Sequence, residues 1–408
     1  MPIDLQCQAN CKATNICTGT GEVMDDFAKL LEGFLVLRPE HFIMYAIGGL
    51  LIYLAIAKDY EPMLLLPIGF GAILTNLPFN MVWQQYEMPG VLKILYDAGI
   101  LTELFPVLIF VGIGAMTDFR PLLTTPKMIF FGAAAQFGIF ATVLMVLGIG
   151  ELFPALGFDL KSAASIGIIG AADGPTSIVV ASRFAPHLLG PISVAAYSYM
   201  ALVPIIQPPV IRALTTKKER MIHMSYSEVS IPKWIMVLFP IAITIAAGII
   251  APISAPLIGL LMFGNLIKES GVLERLNRAA QNELSNLVTL LLGITIGATM
   301  HYQQFLQPQT LVILGLGLIA FVFDTAGGVL FAKLFNIFTK EKVNPMVGAA
   351  GISAFPMSAR IVQKMAKEED PNNFILMQAA SANVAGQLGS IVAGGLILSL
   401  VPWLLSLA

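Results

Sequence analysis

Long stretches of this chain carry no charge at all, and nothing else in it narrows the possible folds as far. Trp234 to Ile267, Phe374 to Ala408 and Met128 to Gly150 hold no Asp, Glu, Lys or Arg. About 20 apolar residues cross the hydrocarbon core of a bilayer as a helix. Lipid offers no hydrogen bonds, so a spanning backbone must satisfy its own polar groups, as a helix or a closed barrel does. Composition agrees with a membrane chain: 57% of residues are hydrophobic and 12% charged, against about 25% charged in soluble domains. The expected fold is an all-α polytopic membrane protein.

Further apolar runs are Phe42 to Ala57, Pro62 to Tyr86, Leu104 to Thr117, Ser162 to Ser182, Leu188 to Ile211, Leu284 to Met300, Leu311 to Ala332 and Val343 to Ala359. Pro252 and Pro256 divide the Trp234 run, which gives about ten transmembrane helices by the length criterion. Lys268 to Glu283 reads as an amphipathic, surface-lying element. The chain divides into a peripheral tail (1–34), a first membrane repeat (35–214), a polar linker (215–233) and a second membrane repeat (234–408). Arg212, Lys217, Lys218 and Arg220 make the linker the best cytoplasmic candidate, because Lys and Arg accumulate on that side.

The tail begins without a basic stretch followed by an apolar core, so no cleavable signal peptide is expected. Cys7, Cys11 and Cys17 all lie in it. Three thiols with no nearby His fall short of a structural metal set, and an exposed reduced tail is the simpler reading. A net charge of −2 argues against a nucleic-acid partner. Walker loops, zinc-binding His-Glu pairs and nucleophile elbows are absent from the sequence, and the four His (41, 187, 223, 301) are scattered.

Inside one apolar run stands Gly167-Ile-Ile-Gly-Ala-Ala-Asp-Gly-Pro-Thr-Ser177. A carboxylate at bilayer depth costs roughly 2.5–3.5 kcal/mol even on the lenient insertion scale. Gly174-Pro175 breaks a helix and frees carbonyls beside the acid. Asp173 is therefore a functional-site candidate, against the plainer possibility that it only caps a half-helix. A second broken stretch runs from Asn344 to Arg360, with Pro345 and Pro356 inside it. Its Asn344 and Ser353 offer oxygens, and Asn383 in the last run could complete a shell. One carboxylate among neutral oxygens suits a monovalent cation such as Na⁺. Arg360 reads either as an anion-binding or Asp173-pairing group or as an interfacial Arg. Asp324 is a secondary candidate for ion or proton handling. Tyr197 and Tyr199 are candidates for a proton relay, with nothing to choose between them.

The halves echo each other. Ile113-Gly-Ala-Met-Thr117 resembles Ile296-Gly-Ala-Thr-Met300, and Gly170-Ala-Ala172 resembles Gly348-Ala-Ala350. An odd number of spans per half would make the repeats inverted, with a broken helix in each, and such paired breaks point to a midplane ion site.

At these two stretches, 167–176 and 344–360, the chain resembles the membrane beta subunit of the sodium-pumping biotin-dependent decarboxylases, which act on oxaloacetate, methylmalonyl-CoA, glutaconyl-CoA or malonate. The resemblance runs from about residue 30 to the C-terminus. It implies a subunit that decarboxylates carboxybiotin, consumes a proton and exports Na⁺ across a bacterial inner membrane. It implies a carboxyltransferase alpha subunit, a biotin carrier subunit and a small gamma/delta-type membrane subunit as partners, and a homo-oligomer within the complex. The biotin must arrive on another polypeptide, since no Met-Lys-Met attachment site is present. The family's essential residues map to Asp173, Tyr199, Asn344, Gly348, Ser353, Arg360 and Asn383. Arg360 and Asn344 are then expected to meet the cofactor, and Asp173, Asn344, Ser353 and Asn383 the Na⁺. The cysteine-bearing tail and the weakly basic stretch 221–233 depart from the family pattern. A secondary Na⁺/H⁺ antiporter or Na⁺-coupled anion transporter is the alternative that the repeat and the intramembrane acid equally suit.

Overall fold

A computed structural model describes residues 32–85, 88–225, 230–354 and 356–407. The three cysteines and most of the predicted tail lie outside the described residues. The apolar runs form helices, and several begin with proline in the first turn, where its missing N–H is not needed. The first half comprises α1 (Pro39–Lys58), α2 (Pro62–Thr75), α3 (Leu104–Met116), α4 (Ile129–Ala135), α5 (Phe137–Leu152), α6 (Leu160–Gly167), α7 (Gly174–Phe184) and α8 (Leu189–Leu214). The second comprises α9 (Lys233–Ile250), α10 (Ala255–Ser270), α11 (Ser285–Ala298), α12 (Pro308–Phe338), α13 (Met346–Ala349), α14 (Met357–Glu369) and α15 (Leu376–Leu407). The strand content among the described residues is one two-residue antiparallel pairing, Gln84–Gln85 with Met88–Pro89.

Among the described residues, five helices are long and apolar enough to span a membrane, or seven when each of two sharply bent pairs counts as one. The chain is thus a multi-pass helical membrane protein. Length and composition alone give fewer than the expected ten, because α2 and α10 are shorter than 18 residues and the two broken stretches yield half-helices. Lys268 to Glu283 also differs from expectation. It divides between the end of α10 and a helical stretch, Glu274–Ala279 then Ala280–Leu284, that runs straight into α11.

The same order of elements occurs on both sides of the linker. A helical hairpin (α1–α2, α9–α10) precedes a single helix (α3, α11), then a long one (α4–α5, α12), a broken pair (α6–α7, α13–α14) and a last long helix (α8, α15). The halves interlock: α2 packs on α11 as α10 packs on α3, and α8 packs on α12 as α15 packs on α4. Small residues let these backbones approach, which is how membrane helices associate without a hydrophobic drive between them. A Cβ on Gly71 would strike the Ile294 carbonyl, and one on Gly264 would strike that of Val111. The lipid-facing surface is apolar, with Ile249, Leu311 and Ile337 standing outward.

Overpacking a tight helix contact costs about 1–3 kcal/mol. Gly71→Val should therefore lower the thermal denaturation midpoint in detergent. Gly315→Val should lower it far less, because a Cβ there meets nothing within 4 Å. Equal effects would contradict the packing described.

Candidate functional site

The first break is built by the backbone. Ile168–Ala171 tightens into a 3₁₀ turn, and Ala172 then takes a left-handed conformation at φ 52°. A non-glycine residue there costs roughly 1–2 kcal/mol, so the surroundings must hold it. Asp173 follows in extended conformation and caps α7: its Oδ1 accepts from the Thr176 amide at 3.3 Å. The plain capping role is therefore real, but it uses one oxygen. Oδ2 accepts from Thr176 Oγ1 at 2.8 Å, Ser390 Oγ at 2.7 Å and Gln387 Nε2 at 3.4 Å. The carboxylate is 3% exposed.

The second break meets it. The Ser353 amide donates to the Ala171 carbonyl at 3.2 Å, so the two broken stretches are bonded to each other. Ser353 Oγ donates to Gln387 Oε1 at 2.9 Å, and Ser353 lines the same cavity as Asp173. Asn383 holds the freed carbonyls of the second break, donating to Ala350 at 3.1 Å and Ile352 at 2.7 Å. Its own Oδ1 is buried and has no hydrogen-bond partner among the described residues, an oxygen available to a cation. Asn383, Gln387 and Ser390 share one face of α15, at i, i+4 and i+7. Gln207 of α8 secures the same stretch, donating to the Ala349 carbonyl and to Ser358, both at 2.7 Å.

Beside these groups lies a cavity of about 320 Å³, lined by Asp173, Gly174, Ser353 and Gln387 and walled by Ile113, Met116 and Met200. Among the described residues no three His, Cys, Asp or Glu side chains gather as a metal cluster would require. A single carboxylate with neutral oxygens matches a monovalent cation better than a divalent one.

The other expected residues make no hydrogen bond to Asp173 among the described residues. Tyr199 packs against the cluster of Ala172 and Ile352 and donates its hydroxyl to the Leu314 carbonyl of α12. Tyr197, fully buried and with its hydroxyl unpartnered among the described residues, lies against Gly174. Asn344 sits at the foot of the second broken stretch and bonds the linker carbonyls of Arg220 (2.7 Å) and Ile222 (3.0 Å). Arg360 is exposed on α14, and no ion pair joins it to Asp173 among the described residues. Gln387, Ser390 and Gln207 were not singled out from sequence; the i, i+4, i+7 spacing was the available signal for the first two.

Asp324 is buried on α12, and its Oδ1 accepts from the Ile139 amide at 3.0 Å. It thereby caps α5 from a neighbouring helix, just past the interruption at Gln136. Its Oδ2 is unpartnered and lies where a Cβ on Gly170 would come within 2.7 Å. On the linker side, hydrogen bonds from the Asn372 amide and from His223 hold the Asp370 carboxyl below its ordinary range. Burial would raise Glu219, but bonds from Thr216 and Lys333 outweigh it and lower it.

Fold and site together define a class: a multi-pass helical membrane protein organised around one buried carboxylate between two broken helices. The chain belongs to the family described as the Na⁺-transporting oxaloacetate decarboxylase beta subunit, whose profile matches residues 40–401. It is 48% identical over 388 residues to the methylmalonyl-CoA decarboxylase subunit beta of Propionigenium modestum, covering 90% of this chain and 96% of that one. It is 45% identical over 432 residues to the oxaloacetate decarboxylase beta chain 2 of Salmonella typhi, covering 93% and 99%. With the glutaconyl-CoA decarboxylase subunit beta of Acidaminococcus fermentans it shares 48% identity over 371 residues, covering 91% and 96%.

Removing a cap leaves buried helix amides unpaired, at about 1–3 kcal/mol each. Asp324→Ala should therefore lower the thermal midpoint clearly, whereas Asp324→Asn, which keeps one acceptor oxygen, should stay near wild type. Thermal denaturation in detergent separates the two.

Proposed function

We propose that this chain is the membrane subunit of a sodium-pumping decarboxylase, which releases CO₂ from carboxybiotin delivered by a partner and exports Na⁺. The observation that carries the reading is the Asp173 carboxylate, held at the contact of two broken helices beside a cavity. Na⁺ as cargo would take Asp173, Ser353 and the free Oδ1 of Asn383, with Gln387 and Ser390 orienting the acid. A proton reaching the same carboxylate removes its charge and with it the main attraction for Na⁺.

Decarboxylation breaks the bond between the biotin nitrogen and the carboxyl carbon. The electron pair stays on nitrogen, which takes up one proton as CO₂ leaves. Coupling follows if that proton and Na⁺ exchange at Asp173. Tyr197, against Gly174, is the better-placed hydroxyl for relaying the proton; Tyr199 would act from one face further round α8. Arg360, exposed in the first turn of α14, suits recognition of the anionic carboxyl group. The engaged amide of Asn344 suits a supporting role better than a ligand role.

The repeated element order and the reciprocal packing support two halves inverted in the membrane, with the Lys/Arg-rich linker side in the cytoplasm of a bacterial inner membrane. Carboxyltransferase, biotin carrier and a small membrane subunit would assemble on this chain, itself present in more than one copy.

Asp173→Asn should abolish Na⁺-dependent decarboxylation of carboxybiotin in the assembled complex. Ser390→Ala, which strips a hydrogen bond from the ligating carboxylate, should weaken apparent Na⁺ affinity about 10–100-fold. Both are read from the Na⁺ dependence of turnover in proteoliposomes. Retained Na⁺-coupled turnover in Asp173→Asn would sink the assignment. Na⁺/H⁺ exchange by the isolated chain with no decarboxylase present would favour a secondary transporter.

A further inference from the structure

Asn344 and Asn373 stand at the two feet of the second broken stretch, one before α13 and one after α14. Both are fully buried. Asn344 Nδ2 donates to the carbonyls of Arg220 at 2.7 Å and Ile222 at 3.0 Å. Asn373 Nδ2 reaches the same two carbonyls, each at 3.3 Å. Two linker carbonyls are thus shared by two amides that arrive from opposite ends of one segment. The Asn344 oxygen is engaged as well, accepting from the Met346 amide at 3.1 Å. Both amide hydrogens and the oxygen of Asn344 are in use, unlike the open oxygen of Asn383.

The linker is tied down around this point. Arg220 pairs with Glu369 at 2.7 Å, His223 with Asp370 at 2.7 Å and Arg212 with Glu368 at 2.9 Å. Gln378 Nε2 donates to Ser225 at 3.1 Å. Between the two feet the chain runs out to Ser353 and back. Fixing both feet therefore constrains where Ser353 stands at Asp173.

We propose that Asn344 and Asn373 are positioning residues for the cation site: they tie both ends of the second broken stretch to the linker carbonyls of Arg220 and Ile222, and so set the position of Ser353. The proposal rests on the reading of Asp173 and Ser353 as the Na⁺ site. It assigns Asn344 an action through the linker, in place of direct coordination, and gives Asn373 the same function.

The test uses the assembled complex in proteoliposomes, with Cys7, Cys11 and Cys17 replaced by serine. Asn373→Ala and Asn344→Ala should each weaken apparent Na⁺ affinity about 10-fold, the lower end of the range for groups that orient ligands, and Asn373→Ala should keep turnover at saturating Na⁺ near wild type. A covalent tether should then stand in for the lost bonds. His223→Cys with Asp370→Cys, joined by a short thiol crosslinker, should restore most of the affinity lost in Asn373→Ala, and cleaving the linker should lose it again. If the two alanine variants assemble and keep wild-type Na⁺ affinity, the proposal fails. It also fails if Asn344→Ala alone loses Na⁺ response and the tether does not rescue it, since Asn344 is then a ligand. Should Asn344→Ala not assemble, Asn373→Ala and Gln378→Ala carry the test. Asp173→Asn in the same assay separates the two readings. If it retains Na⁺ coupling, the site itself is misassigned. If it is inactive while the asparagine variants behave as wild type, positioning by the linker alone is refuted.

Discussion

A helix broken inside a bilayer exposes carbonyls and amides that lipid does not solvate, and each must find a partner within the protein. The stretches at 167–177 and 344–360 are two such breaks, and they answer each other. The Ser353 amide takes the Ala171 carbonyl, and the Asn383 amide takes those of Ala350 and Ile352. Helices on every side then exist at the right distance to close the remaining gaps. Gly351 packs against the Phe131 backbone and Gly386 against that of Gly351, contacts that admit no side chain. The strained Ala172 conformation and the buried charge of Asp173 persist because this frame is complete around them.

The parts legible in sequence were those with a large local cost. An acid followed by Gly-Pro in an apolar run is conspicuous whatever the fold, and so are Pro345 and Pro356. Helical class followed from charge-free length. What stayed hidden depended on which way a helix faces. Tyr197 and Tyr199 are two residues apart, about 200° around a helix of 3.6 residues per turn, so one meets Gly174 and the other turns to Leu314. The last helix carries Gln378, Ser381, Asn383, Gln387 and Ser390, and sequence singled out only Asn383 among them. Packing sorts them: Gln378 reaches the linker, Ser381 meets Thr125, and the other three line the breaks. Ten spans were expected, and five to seven helices among the described residues have spanning length and composition. A half-helix and a full span have the same hydropathy, and only tertiary contacts reveal where a segment turns back.

The linker gains a role by the same logic. As sequence it is the polar interval between two apolar halves. In the fold its carbonyls accept from both ends of the second broken stretch, while Lys333 of α12 pairs with its Glu219 at 3.1 Å. Among the described residues the first broken stretch has no counterpart of this strap. Its C-terminal arm is held by an ion pair, Arg183 with Glu103 at 3.6 Å, between exposed or half-buried groups, an arrangement worth at most about 1 kcal/mol. The two halves are therefore alike in element order and unlike in how firmly their breaks are anchored. The looser member carries the carboxylate, and the firmer one carries Ser353.

Two buried carboxylates in one chain invite the question of why only one belongs to a site. Asp324 and Asp173 each cap a helix with one oxygen. The second oxygen of Asp324 faces the packed backbone at Gly170. The second oxygen of Asp173 borders a cavity and takes its donors from the side chains of Thr176, Gln387 and Ser390. Hydroxyl and amide donors of this kind can turn their lone pairs or oxygens toward a cation as readily as their hydrogens toward an anion. A carboxylate dressed in such groups is stable both empty and loaded, whereas one capped by fixed backbone amides is committed to a single state. That difference in partners, more than burial or charge, fits the proposal that Asp173 is the exchangeable position, while Asp324 caps α5.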